Sequence, residues 1–213
     1  MTKPHHPNLW QIRKATLMKP LHLPLLVFSL LLPVTVLHSE APSEEASKRL
    51  RLAIDEVLDA AQSSQDSEIL DKKLRPILSK YMSFEAMTRR AVGPGWKQFT
   101  SPERERSADL FTSLIIRTYA KKITPGELPK IEFKSATILA PNRVDIPTTL
   151  EYKGSRYEVT YRMEKAKDWM VTDVIIEGVS FVANYRTQFD ALFKKGGALA
   201  VLDSLEQSIA RTP

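Results

Sequence analysis

The 213-residue chain has no cysteine, and its four histidines, His5, His6, His22 and His38, all lie in the first 38 positions. Without cysteine there is no disulfide scaffold, thiolate zinc site, thiol nucleophile or lipid-modified N-terminal Cys. Glycine is scarce, with 7 residues, and hydrophobic residues make up 43% of the chain, a balance that argues against disorder and for a real core. The length suits one domain plus a targeting segment.

Acidic and basic residues are also missing from Leu21 to Leu37, a run of LHLPLLVFSLLLPVTVL. Lys3, Arg13, Lys14 and Lys19 precede it, and Ser39, Glu40 and Ala41 follow. This order of basic, apolar and small residues reads as a secretory signal peptide spanning 1–41, with Met18 as an alternative start. A membrane anchor is the competing reading. However, 17 residues interrupted by His22, Pro24 and Pro33 are short for about 30 Å of hydrocarbon. Cleavage would remove every histidine and four basic residues. The remaining chain, starting at Glu40 or Pro42, would carry 27 Lys+Arg against 25 or 24 Asp+Glu, so the formal +6 falls to +2 or +3. Its basic residues come in pairs such as Lys72-Lys73 and Lys121-Lys122, which suit solvated helix faces better than nucleic acid.

Helical periodicity dominates the first half. Ser43 is a candidate cap for a helix with Leu50, Ala53, Ile54, Val57, Leu58 and Ala61 on one stripe. A second helix carries Ile69, Leu70, Leu74, Ile77 and Leu78, with Pro76 expected to kink or restart it. A short helix starts at Ser83 and stops at Gly93-Pro94-Gly95. Ser101-Pro102-Glu103 then opens a long one reaching about Lys122. From Lys130 the apolar period changes from 3.6 to 2, giving four strands: 130–139, 143–152, a third with Tyr157, Val159, Tyr161 and Met163 on one side, and 169–177. Pro147 is expected at an edge or bulge. After Gly178, with Ser180 as a cap, helix returns until Gly196-Gly197, and a last helix carries Leu199, Leu202, Leu205 and Ile209. The expected fold is α+β, a curved four-stranded antiparallel sheet covered by helices from both chain ends.

In a chain shortened to 42–213, a Ser-His-Asp or Cys-His triad, a histidine zinc site and imidazole acid–base chemistry are all impossible. Asp173 and Glu177 share strand parity, but two pleats set them about 13 Å apart, beyond glycosidase spacing. A solvent-facing or locally hydrogen-bonded acid is the plainer reading. No phosphate-binding glycine loop or nucleophile elbow is present. Nothing points to an enzyme or to a cofactor. What stands out is an excess of large apolar side chains on one face of a small sheet, which either fill a core or line a container.

The run from Asp168 to Phe189 bears on that choice. It resembles the signature of MlaC-type periplasmic phospholipid-binding proteins, also called toluene-tolerance auxiliary proteins, in which W-x-V-x-D-V leads into G-V-S and N-Y-R-x-x-F. The matching residues are Trp169, Val171, Asp173, Val174, Gly178, Val179, Ser180, Asn184, Tyr185, Arg186 and Phe189. Tyr81 to Met87 is similar to the family's Y-F-D-F-x-x-M, with Ser83 where Asp is usual. Gly93 to Trp96, Thr100 to Glu103 and Arg117 to Ala120 follow in family order, so the resemblance covers Leu50 to Ile209.

The resemblance implies a periplasmic carrier whose only bound molecule is its phospholipid cargo. It would shuttle that lipid between an outer-membrane lipoprotein complex and an inner-membrane ABC transporter with an MCE-domain subunit. Acyl chains are then expected between sheet and helices, with the headgroup at the mouth. The candidate lining is Phe84, Met87, Phe111, Leu114, Ile115 and Tyr119 from helices, Val144, Ile146, Tyr157, Val159, Tyr161 and Val171 from strands, and Tyr185 and Phe189 behind them. Each could equally be ordinary core. Trp169 is read as structural, and Asn184 and Arg186 either fasten helix to sheet or mark a partner surface. A hopanoid or other isoprenoid cargo, and an adaptor module with a filled core, stand as alternatives.

Overall fold

A stripe of small and branched apolar residues makes the first helix one-sided. In a computed structural model of the chain, which describes residues 41–64, 66–120 and 127–211, α1 (Pro42–Gln62) buries Ala46, Leu50, Ala53, Ala60 and Ala61. The signal peptide expected over 1–41, with its alternative start at Met18, lies almost wholly outside the described residues. The α1 N-cap is Ala41 rather than Ser43, because Pro42 takes the first helical position, where its missing N–H costs nothing. Asp66 caps α2 (Ser67–Tyr81) by accepting the Glu68 N–H at 2.7 Å, and Pro76 sits within α2 on its exposed side.

Ser83 caps α3 (Phe84–Val92), as its sequence suggests, and a 3₁₀ turn (Gly93–Gln98) follows. The cap of α4 (Ser101–Ala120) is Thr100, one residue before the expected Ser101. Thr100 and Glu103 bond reciprocally: Glu103 accepts the Thr100 N–H at 2.7 Å, and the Thr100 hydroxyl accepts the Glu103 N–H at 3.4 Å. These bonds hold the Glu103 carboxyl below the usual carboxylate range.

Among the described residues the sheet has six strands rather than four. The segment 130–139 is two strands, β1 (Lys130–Phe133) and β2 (Thr137–Ala140), which pair with successive parts of β3 (Arg143–Tyr152). Pro147 explains the break. It lies inside β3, a strand paired on both sides, and its carbonyl accepts the Lys134 N–H at 2.9 Å, so its ring nitrogen faces the gap where β1 ends and β2 has not begun. The absent donor falls where no ladder bond is needed.

Lys153 (φ 50°) and Gly154 (φ 75°) make the two-residue turn from β3 into β4 (Ser155–Lys165). A matching turn at Glu177 (φ 51°) and Gly178 (φ 77°) joins β5 (Trp169–Ile176) to β6 (Val179–Ser180), a two-residue strand too short for periodicity to reveal. All strands pair antiparallel in the order β1-β3-β4-β5-β6, with β2 beside β3. The last element, α5 (Phe181–Arg211), is broken at Gly196 and Gly197, whose dihedrals are not helical. Among the described residues no helix is long and apolar enough to cross a membrane.

Three apolar clusters hold these elements. One is the α1-covered part of the sheet, with Leu50 against Val144, Ile146, Met163, Trp169 and Val171. A second joins α3, α4 and α5 around Phe84, Met87, Phe111 and Phe189. A third fixes α1, α2 and α4 through Ala61, Leu70, Leu74 and Ile116. Met82, at the α2–α3 junction, packs against both the first and the second. The next residue, Ser83, donates its N–H to the Val171 carbonyl at 2.9 Å, so this junction is fixed to β5.

Candidate functional site

Strand alternation places one residue in two on the face beneath α1, and register aligns those residues in rows. Val144, Met163 and Val171 form the first row; Ile146, Tyr161 and Val174 the second; Thr148, Val159 and Ile176 the third; Leu150 and Tyr157 the last. The first row is sealed: Val144 and Met163 are fully buried and Val171 nearly so. Further along, Ile146, Thr148 and Val159 stay buried, but Tyr161, Val174, Ile176 and Leu150 are only half-buried and Tyr157 is 40% exposed. The face therefore runs from a closed end under α1 to an open end near the β3–β4 turn.

The opposite face is polar and cross-linked. Arg162 donates to both oxygens of Asp145, at 2.8 and 2.7 Å, and this pairing raises the guanidinium pKa further. Across from Arg162 lies Asp173, which is buried and accepts the Ser180 hydroxyl at 2.6 Å and the Val182 N–H at 3.1 Å. Ser180 in turn accepts the Ala183 N–H at 3.0 Å. Asp173 is thus the locally hydrogen-bonded acid of the plainer reading. It anchors the start of α5 to β5, while Glu177 leaves the strand in the turn.

Anchored this way, α5 projects Phe181, Tyr185 and Phe189 onto Phe111 of α4. The ring centroids lie 5.7, 4.9 and 5.7 Å from that of Phe111, in tilted and edge-on contacts. Exposed Arg186 of α5 lies beside the end of α3. A side chain at Gly93 (φ 70°) would meet its guanidinium at 3.3 Å, so the arginine lies over the glycine backbone. Asn184 is exposed.

The expected lining residues fall into two groups. Phe84, Met87, Phe111, Leu114, Ile115 and Phe189 are buried in the helical cluster, with Tyr185 packed against it. Val144, Ile146 and Val171 are buried in the sheet cluster, which Tyr161 flanks, and Val159 is buried one row further out. The Tyr119 side chain lies outside the described residues. Periodicity gave no sign of Met82, which packs between the groups, or of Phe181, whose place follows from the Asp173 anchor. A separate groove of about 920 Å³ at the β3–β4 turn is lined by charged residues including Glu127, Lys153 and Arg156. Among the described residues no three His, Cys, Asp or Glu side chains converge as a metal site would require.

Comparison with known proteins decides the family, because the model described as MlaC protein matches residues 51–207. The chain belongs to the MlaC family. A relative from Haemophilus influenzae, the intermembrane phospholipid transport system binding protein MlaC, is 24% identical over 159 residues, 69% of this chain and 72% of the relative. A phospholipid-binding protein from Ralstonia solanacearum, solved in complex with a phospholipid, superposes with a TM-score of 0.73 at 24% identity. That match covers 79% of this chain and 98% of the other, so the α+β architecture is one already seen in a solved structure. Of the MlaC signature residues, Asp173 and Ser180 bond the start of α5 to the sheet, and Arg186 lies over Gly93.

Proposed function

We propose that this MlaC-family protein is a periplasmic phospholipid carrier that holds acyl chains between sheet and helices and exchanges them with membrane-bound partners. The observation that carries the reading is the apolar face of the sheet, sealed at the Val144 row and exposed at Tyr157, in a chain of this family. The phospholipid bound to the Ralstonia solanacearum protein and the transport role in the name of the Haemophilus influenzae relative support the same cargo.

The physics explains why a carrier is required. Each buried CH₂ is worth about 0.8 kcal/mol, so two chains of roughly 15 CH₂ would cost on the order of 24 kcal/mol to expose to water. Free diffusion of lipid is negligible on that scale. A protein pocket nearly as favourable as the bilayer makes transfer close to thermoneutral, and the partners then set its direction. Those partners are an inner-membrane ABC transporter with an MCE-domain subunit and an outer-membrane lipoprotein complex. The carrier performs no bond chemistry.

The test is to purify the protein without detergent, extract it with organic solvent and identify what is released by mass spectrometry. Near-stoichiometric two-chain phospholipid is the expected result. A protein that is empty and also fails to accept lipid from vesicles would sink the proposal.

A further inference from the structure

Within the second row of the apolar face, Tyr161 stands between Ile146 and Val174, the one polar tip in that row. Burial alone pushes its phenol up to about 12, so the hydroxyl stays a neutral donor at any physiological pH. Thr148, in the next row, spends its hydroxyl on the Val159 carbonyl at 3.0 Å. The Tyr161 hydroxyl has no such partner among the described residues. Nor is its oxygen among the polar atoms sealed off by protein, so it reaches open space. Water can meet it there in the empty protein, and a lipid that displaces the water must offer an acceptor in its place, because leaving the hydroxyl unmet in apolar surroundings is costly.

We propose that the Tyr161 hydroxyl donates to an ester carbonyl of the bound lipid, which makes the preferred cargo a diacyl, ester-linked glycerolipid. This rests on the carrier reading above. The carbonyl is the acceptor that fits, because it is uncharged and sits at the head of each acyl chain. It can follow the chains into an apolar face, whereas a phosphate would leave its hydration behind. An ether-linked lipid of equal length offers no carbonyl at that place, and a fused-ring hydrocarbon offers no acceptor there at all.

Emptied protein is presented with mixed vesicles of dipalmitoyl phosphatidylcholine and its dihexadecyl ether analogue, and the bound lipids are quantified by mass spectrometry. The native protein is expected to favour the diester by about tenfold, the scale of one hydrogen bond. Tyr161→Phe should lose that preference by weakening diester binding alone, and its unfolding temperature when empty should equal or exceed that of the native protein. Equal uptake of both lipids by the native protein would overturn the inference and leave the carrier reading intact, and this arm needs no variant. A preference that persists in Tyr161→Phe would also overturn it. Uptake of neither lipid would reject the carrier reading and this inference together.

Discussion

Replacing Asp173 by alanine should loosen α5 from the sheet. The carboxylate is 6% exposed and accepts two bonds, from the Ser180 hydroxyl at 2.6 Å and the Val182 N–H at 3.1 Å. Hydrogen bonds to a charged group contribute about 1.5 to 3 kcal/mol each, and a lost helix cap costs about 1. The two bonds share one carboxylate and are not additive, and the buried Val182 N–H is left without its acceptor. A loss of about 3 kcal/mol follows. Arg162 keeps both oxygens of Asp145, so no orphaned guanidinium inflates the figure. For a domain of this size that corresponds to about 6 to 12 °C in unfolding temperature. Asp173→Asn retains an acceptor for Val182 but offers Ser180 no second oxygen, and should lose about half as much. Urea unfolding followed by circular dichroism measures both variants. A loss under about 0.5 kcal/mol for Asp173→Ala, or equal losses for the two variants, would refute the anchoring role.

Gly95→Ala should destabilise by about 1 to 3 kcal/mol, because the new Cβ would lie 2.9 Å from the Phe193 ring. Thermal unfolding should show partial recovery when Phe193→Leu is added, and no recovery would count against a steric cause. Acidification should break the polar contact between α1 and the Trp169 indole. Glu45 accepts from Lys165 at 2.5 Å and from the Trp169 indole at 2.9 Å, and these bonds hold its carboxyl below 4.5. A carboxyl depressed in the folded state stabilises fully above its ordinary value and loses that contribution as pH falls through its folded value. Trp169 fluorescence should therefore change below pH 4.5, and Glu45→Gln should abolish that step. An unchanged acid transition in Glu45→Gln would show that the indole contact contributes nothing.

Much of this fold is legible because helix and strand have different apolar periods. The stripe from Leu50 to Ala61 and the alternation from Tyr157 to Met163 each identify an element and its inner face. Where the reading departs from the structure, the deciding partner is remote or the element is too short. Thr100 becomes a cap because Glu103 reaches back, β1 and β2 separate opposite Pro147, and β6 is two residues long. The site is legible as a set of faces and no further. Periodicity places Tyr161 and Ile146 on the same side, but the partner that Tyr161 lacks emerges only when every neighbour has a position. Likewise nothing in the local pattern links Gly93 to Arg186, which meet only after α3 and α5 are folded together.

The way Met82 packs against two separately buried clusters bears on how such a protein could work repeatedly. Besides Met82, the two clusters are tied by the Ser83 N–H to the Val171 carbonyl and by the bonds of Asp173 to Ser180 and Val182. A flexible thioether adapts its packing when neighbouring surfaces shift slightly, while these polar ties keep sheet and helices in register. A carrier built this way would take on and give up its cargo against walls already formed, with no need to fold around it each time.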